Sequence, residues 1–129
     1  MRLRSDVWVA ALVRRAFAGG AHAGVIHHGS DEAGAIFVAV DRLDGGHDLW
    51  GPAPQTDFGE SDAGDRRFER LLARVPREAL VARIASERRF DGDLWLVEVE
   101  DRTGRHFIEP PPEDPDAPKR IVPEWPPRP

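Results

Sequence analysis

The stretch that most constrains the fold of this chain runs from Phe90 to Ile108, FDGDLWLVEVEDRTGRHFI. Leu94 to Val99 is dense in β-branched and aromatic residues and is bounded by Asp-Gly on one side and Asp-Arg-Thr-Gly on the other. That combination is the signature of a strand between turns. Asp101 to Gly104 supplies a turn, and Arg105-His106-Phe107-Ile108 then reads as a returning strand, so the segment predicts a β-hairpin. No residue in it forms a catalytic motif.

The 129 residues suffice for one domain with a modest core. Nine of the twelve prolines lie at or after Pro110, where little apolar material remains to fill a core. The sequence therefore predicts a single folded domain over residues 1–108 and a disordered, extended, Pro-rich tail over 109–129. The absence of cysteine excludes disulfides, thiolate metal sites and a Cys nucleophile. The apolar patch near the N-terminus is broken by Arg14 and Arg15 before any cleavage-like site, and no run approaches the ~20 apolar residues of a membrane span. A cytoplasmic protein with no membrane association is expected.

Ser5 stands where an N-cap would, Asp6 suits a first helical turn, and Trp8, Val9, Leu12, Val13, Ala16 and Phe17 recur at helical spacing until Gly19-Gly20 ends the pattern. Three short β-like runs follow, Gly24 to His28, Ala35 to Arg42 and His47 to Trp50, separated by brief polar turns. Such runs predict an antiparallel three-stranded meander. Within it Ile36, Val38 and Val40 share one face and Phe37 and Ala39 the other, so the middle strand is covered on both sides. Gly51-Pro52-Ala53-Pro54 stops the third run, and Gln55 to Gly64 reads as a surface loop. Asp65, Phe68, Leu71 and Leu72 then suggest a helix. A further helix starts at Pro76, with Leu80, Val81 and Ile84 as its buried stripe. The result is an α+β domain: an antiparallel sheet of about five strands with helices packed on it.

The net charge is −5, yet between Gly64 and Arg89 eight arginines face only four acids. Arg66, Arg67 and Arg70 are candidate anion-binding residues on what reads as an exposed basic face. A solvated face is the simpler account in an acidic protein whose basic segment has few aromatics, and no nucleic-acid partner is expected. His27 and His28 point to opposite faces of a strand and cannot chelate one ion, so no metal and no cofactor is expected. Glu98 and Glu100 share a strand face, the arrangement a metal-dependent nuclease would use, but no lysine follows them; cross-strand pairing with Arg105 is the alternative. No phosphate-binding loop and no nucleophile elbow occurs, and no catalytic residue is assigned.

Four separated segments nevertheless fit one pattern in order: Arg4 to Leu12 (RSDVWVAAL), Asp31 to Ala35, Leu49 to Gln55 (LWGPAPQ) and Arg88 to Val99 (RRFDGDLWLVEV). In these the chain resembles the small alphaproteobacterial proteins of domain-of-unknown-function family fourteen-ninety-one. The resemblance covers the chain up to Ile108 and leaves the tail outside. It implies a fold unit and a bacterial origin; it carries over no activity, ligand or catalytic residue.

On this basis the expected role is a non-enzymatic protein-interaction module, offering a groove or sheet edge to a protein partner or to a second copy of itself. Trp50, Pro52 and Pro54 are its candidate binding residues, joined by Trp125 in the proline-stiffened tail. Two alternatives stand beside it. One is an enzyme on nucleic acid or phosphorylated substrates, using Glu98 and Glu100 with the arginines. The other is a small-molecule sensor domain.

Overall fold

The computed structural model describes residues 2–54 and 66–116. The surface loop expected at Gln55 to Gly64, residue Asp65 and the tail from 117 onward lie outside the described residues. The chain runs α1 (Ser5–Ala18), β1 (His22–His27), β2 (Ile36–Asp41), β3 (His47–Pro52), β4 (Phe68–Val75), α2 (Arg77–Phe90) and β5 (Trp95–Glu100). The five strands form one sheet in the order β1-β5-β2-β3-β4. The α+β class and the number of strands match the sequence reading, although one expected strand is replaced by another; the all-antiparallel sheet does not match, because β5 runs parallel to β2, with Val38 opposite Val97. It is antiparallel to β1, with Val25 opposite Val97.

That insertion of β5 corrects two further expectations. The meander is broken: β2 and β3 form the expected antiparallel hairpin, but β1 is separated from β2 by β5. The C-terminal hairpin is also absent. Its turn is real, closed by the Gly104 N–H donating to the Asp101 carbonyl, with Gly104 in the left-handed region at φ 80°. Yet both edges of β5 are already hydrogen-bonded, to β1 and to β2, so residues 105–108 have no ladder to join. They cross the face of the sheet instead, Phe107 turning the chain at φ 60° and Ile108 sinking into the core.

The helix expected over Asp65 to Leu72 is strand β4. Phe68, Leu71 and Leu72 have a helix-like spacing because the β3–β4 pairing is irregular beside Leu49, so that Leu71 and Leu72 both pack toward one face while Phe68 packs toward the other. An irregular ladder thus imitates a period of 3.6.

Each face of the sheet carries one helix. On one side Trp8, Val9, Leu12 and Ala16 of α1 join Ile36, Val38, Val40, Trp95, Val97 and Val99 in a core, and Trp8 stacks on Phe68 at 5.1 Å between ring centres. On the other, Leu80 and Ile84 of α2 pack with Phe37, Ala39, Leu49 and Leu96. The alternation expected for β2 is therefore observed, with all of Ile36 to Val40 buried. Ser5 is not a cap. It lies inside the first turn, fully buried, its hydroxyl donating to the Gly34 carbonyl at 2.7 Å and accepting from Arg66 Nη2 at 2.9 Å. Gly19 and Gly20 do end α1, Gly20 at φ 86°. Among the described residues no helix is long and apolar enough to cross a membrane.

Candidate functional site

A five-stranded sheet is about 19 Å wide between its outer strands, and a helix of ~10 Å diameter covers about two strands. Helix α2 lies toward β3 and β4. Among the described residues no further helix lies on that side of the sheet, and the flank toward β1 is left uncovered by them. The consequence is a groove of about 190 Å³ between α2 and the edge strand β1, floored by Leu80, Ile84 and Leu96 and walled by Ile26, Val81 and Ala85. Ile26 is 53% exposed and Val81 55%. Val81, expected in the core, is a correction: the apolar stripe of α2 is wider than the sheet contact it makes, and its outer row faces the groove. Ile26 is brought there by an irregularity between Val25 and His27 in the pairing of β1 with β5.

Charged groups rim this apolar strip. Arg77 stands 3.9 Å from Glu98, and Arg88 Nη1 donates toward His27 Nε2 at 3.4 Å. Burial, reinforced by the Arg88 charge, pushes His27 below its ordinary pKa, so the ring is neutral and takes the donated hydrogen bond on Nε2. Glu98 is engaged with Arg77 rather than with Arg105, whose partner is Asp101 at 2.8 Å, so the expected cross-strand pair is not formed. Glu100, on the same face, sits between His22 of β1 and Asp41 of β2 in the ladder.

The remaining candidate residues are dispersed. Trp50 is buried on the α1 side, 4% exposed, its ring meeting His106 edge-on at 4.8 Å. Pro52 closes β3 opposite Phe68, and Pro54 is exposed beyond it. Trp125 lies outside the described residues. The basic face is not uniformly solvated: Arg66 is buried, donating to the Leu3 carbonyl at 3.0 Å and to Ser5, and burial pushes its pKa down. Arg67 is exposed just before β4. Arg70 is partly buried, its side chain 15% exposed, and holds Asp116 at 2.6 Å. Arg66, Arg67 and Arg70 thus do not converge on one anion site. Trp50 and Arg70, by contrast, are cross-strand neighbours and line one cavity of about 420 Å³ on the α1 side, beneath residues 103–114. Sequence reading singled out both without linking them.

Among the described residues no three His, Asp or Glu side chains come together as metal ligands. His28 instead bonds Asp31 at 2.7 Å and lies 4.0 Å from the Trp95 ring.

Residues 3–109 match the family described as protein of unknown function (DUF1491). The chain is similar to a DUF1491 family protein from Caulobacter crescentus CB15 known from a crystal structure, with 39% identity, a TM-score of 0.73, and coverage of 88% of this chain and all of that one. The solution structure of protein Atu0922 from A. tumefaciens is 49% identical with a TM-score of 0.70, covering 78% of this chain and 86% of that one. No curated protein matches.

Proposed function

We propose that this chain, which belongs to the DUF1491 family, is a cytoplasmic protein-interaction module whose docking site is the groove between α2 and β1, and whose partner presents an acidic amphipathic helix. The observation that carries the reading is the apolar row of Ile26, Val81 and Ala85 beside the groove, which the described residues leave exposed at Ile26 and Val81. Isolated surface hydrophobics are ordinary, but a contiguous apolar strip with a charged rim is what a helix-in-groove contact requires. The sign of the partner follows from the rim. Arg77 and Arg88 face the groove with Glu98 as the one carboxylate among its lining residues, in a chain otherwise acidic, so a partner helix would place apolar residues at i, i+3 or i+4 in the groove and carboxylates beside the two arginines.

The test is a titration of a helix-forming Leu/Glu peptide and its Leu/Lys counterpart, followed by backbone amide shifts. The acidic peptide should perturb β1 and α2, and Val81→Asp, a change at an exposed position, should abolish the effect while leaving the spectrum folded. Equal binding of the basic peptide, or binding indifferent to Val81→Asp, would refute the assignment. Val81-dependent dimerisation in sedimentation, with no peptide binding, would give the groove to a second copy of the chain.

A further inference from the structure

The cavity beneath residues 103–114 lies on the opposite face of the sheet from the groove and has a different chemistry. Three guanidinium groups reach it, from Arg42, Arg70 and Arg105, and two of them are neutralised by the body of the domain. Arg42 is bound through both Nε and Nη2 to Asp48 Oδ2, at 2.9 and 2.7 Å, and is pressed against the Gly104 backbone, where a Cβ would stand 2.5 Å from its atoms. Asp48 Oδ1 is in turn occupied by the Arg74 N–H at 2.8 Å. Arg105 is held by Asp101. Arg70 differs. Its ion-pair partners are Asp116 at 2.6 Å and Asp114 at 3.8 Å, both largely exposed and both on the strap that follows Ile108.

Two further donors belong to residues of the wall, His106 and Trp50. His106 Nδ1 accepts the Ile108 N–H at 3.0 Å, which leaves the ring hydrogen on Nε2. The Trp50 indole N–H is buried with no hydrogen-bond partner among the described residues. The carboxylates that line the space are Asp48, already saturated, and Glu109 and Asp114 of the strap. A partly buried arginine is stabilised by a counter-anion, and here the contacting ones come from a short surface segment, with Asp48 of the neighbouring strand acting from farther away.

We propose that this cavity binds a small molecule bearing an oxyanion, a carboxylate or a phosphate, through Arg70, and that Asp116 and Asp114 of the strap hold the same position as internal competitors. The arrangement makes the strap a displaceable latch: an incoming oxyanion takes over Arg70 and frees residues 109–116. Because the competitor is tethered, it acts at a high effective concentration and keeps the affinity modest.

The decisive experiment uses the full chain, isotope-labelled, titrated separately with pyrophosphate and with succinate at constant ionic strength. The Trp50 indole N–H and the amides of residues 103–116 are followed by two-dimensional NMR. A saturable shift at both places is expected with at least one of the two probes. A response to pyrophosphate alone assigns a phosphorylated ligand, and a response to succinate alone a carboxylate. Asp114→Asn combined with Asp116→Asn should tighten binding by up to about fivefold, the worth of an exposed ion pair, and Arg70→Gln should remove it. The double strap variant alters only exposed side chains, so it decides the matter even if Arg70→Gln disturbs the fold. Absence of saturation with either probe, or an affinity unchanged in the strap variant, overturns the proposal.

Discussion

Asp101 is the residue whose replacement tests most directly how the end of β5 is held. Its Oδ2 accepts from Thr103 Oγ1 at 2.7 Å, from the Arg105 N–H at 2.8 Å and from Arg105 Nε at 3.1 Å, while Oδ1 accepts from Arg105 Nη2 at 2.8 Å. Asn at this position keeps the shape but turns one acceptor into an N–H₂ facing a donor, and it weakens the others by removing the charge. Bonds to a charged acceptor contribute about 1.5–3 kcal/mol each against about 1 for neutral ones. The Arg105 side chain is half exposed, so its ion pair is discounted to below about 1 kcal/mol. Asp101→Asn should then cost about 2 kcal/mol, about 10 °C in Tm for a domain of this size. Urea denaturation with a constant m-value is the measurement. The pH dependence adds an independent check. The Arg105 guanidinium, with the Arg105 amide and the Thr103 hydroxyl, holds the Asp101 carboxyl well below its ordinary value of 3.8, so the unfolded chain takes up the proton first. The stability this group provides is complete above pH about 4 and declines below it. The gap between wild type and Asp101→Asn should therefore be flat from about pH 5 to 8 and narrow as the pH falls under 4. A cost under about 0.5 kcal/mol, or a gap that persists undiminished at pH 2.5, would mean that burial of Ile108 and the Gly104 turn hold the segment without the carboxylate.

Ser5→Ala removes one buried hydroxyl that serves both the Gly34 carbonyl and Arg66, and should lower stability by about 1–3 kcal/mol in thermal or urea unfolding. Gly29→Ala would push a Cβ into the Asp93 carbonyl and within 2.6 Å of Leu94 backbone atoms, where no side chain can move aside; a loss of about 3 kcal/mol is expected in the same assays. Burial pushes the His106 pKa below its ordinary 6.5 against the opposing charges of Asp114, Glu109 and Asp48. Its contribution is therefore present above about pH 6.5 and is lost as the pH falls through the folded value, when Nδ1 can no longer accept from Ile108; the hydrogen-exchange protection of residues 106–108, corrected for the intrinsic rate at each pH, should fall below pH 6 before that of β2 does.

The elements that sequence periodicity located well are those whose environment is simple. Helix α1 has one apolar stripe and a Gly-Gly stop, and β2 is covered on both faces, so each carries an unmixed period. The failures share a cause in long-range pairing. Arg105 to Ile108 has the composition of a strand and a good turn before it, but strand formation needs a free edge, and β1 had already taken the one that a hairpin would use. Phe68 to Leu72 has a helical spacing because an irregular ladder displaced two leucines to one face, and no local propensity encodes the partner strand that creates the irregularity. Ser5 looked like a cap because the helix does begin there; the 61 residues separating it from Arg66 hid the reason it is buried.

The same distinction decides how much of the groove was readable. Leu80, Val81, Ile84 and Ala85 form an apolar band broader than the two residues a helix of 14 residues actually buries, and that excess was in the sequence. An apolar residue on the inner side of a helix, such as Val81, is core only where a sheet lies beneath it. Whether it does depends on where β1 lies. Strand β1 sits at the sheet edge because β5, about 70 residues later, inserts beside it, and the same insertion carries Leu96 to the groove floor and leaves Ile26 on its far wall. An apolar band wider than one contact can use is thus the local trace of an incomplete layer. The topology, which only pairing reveals, determines whether that layer is completed within the chain or, as proposed here, by a helix from outside it.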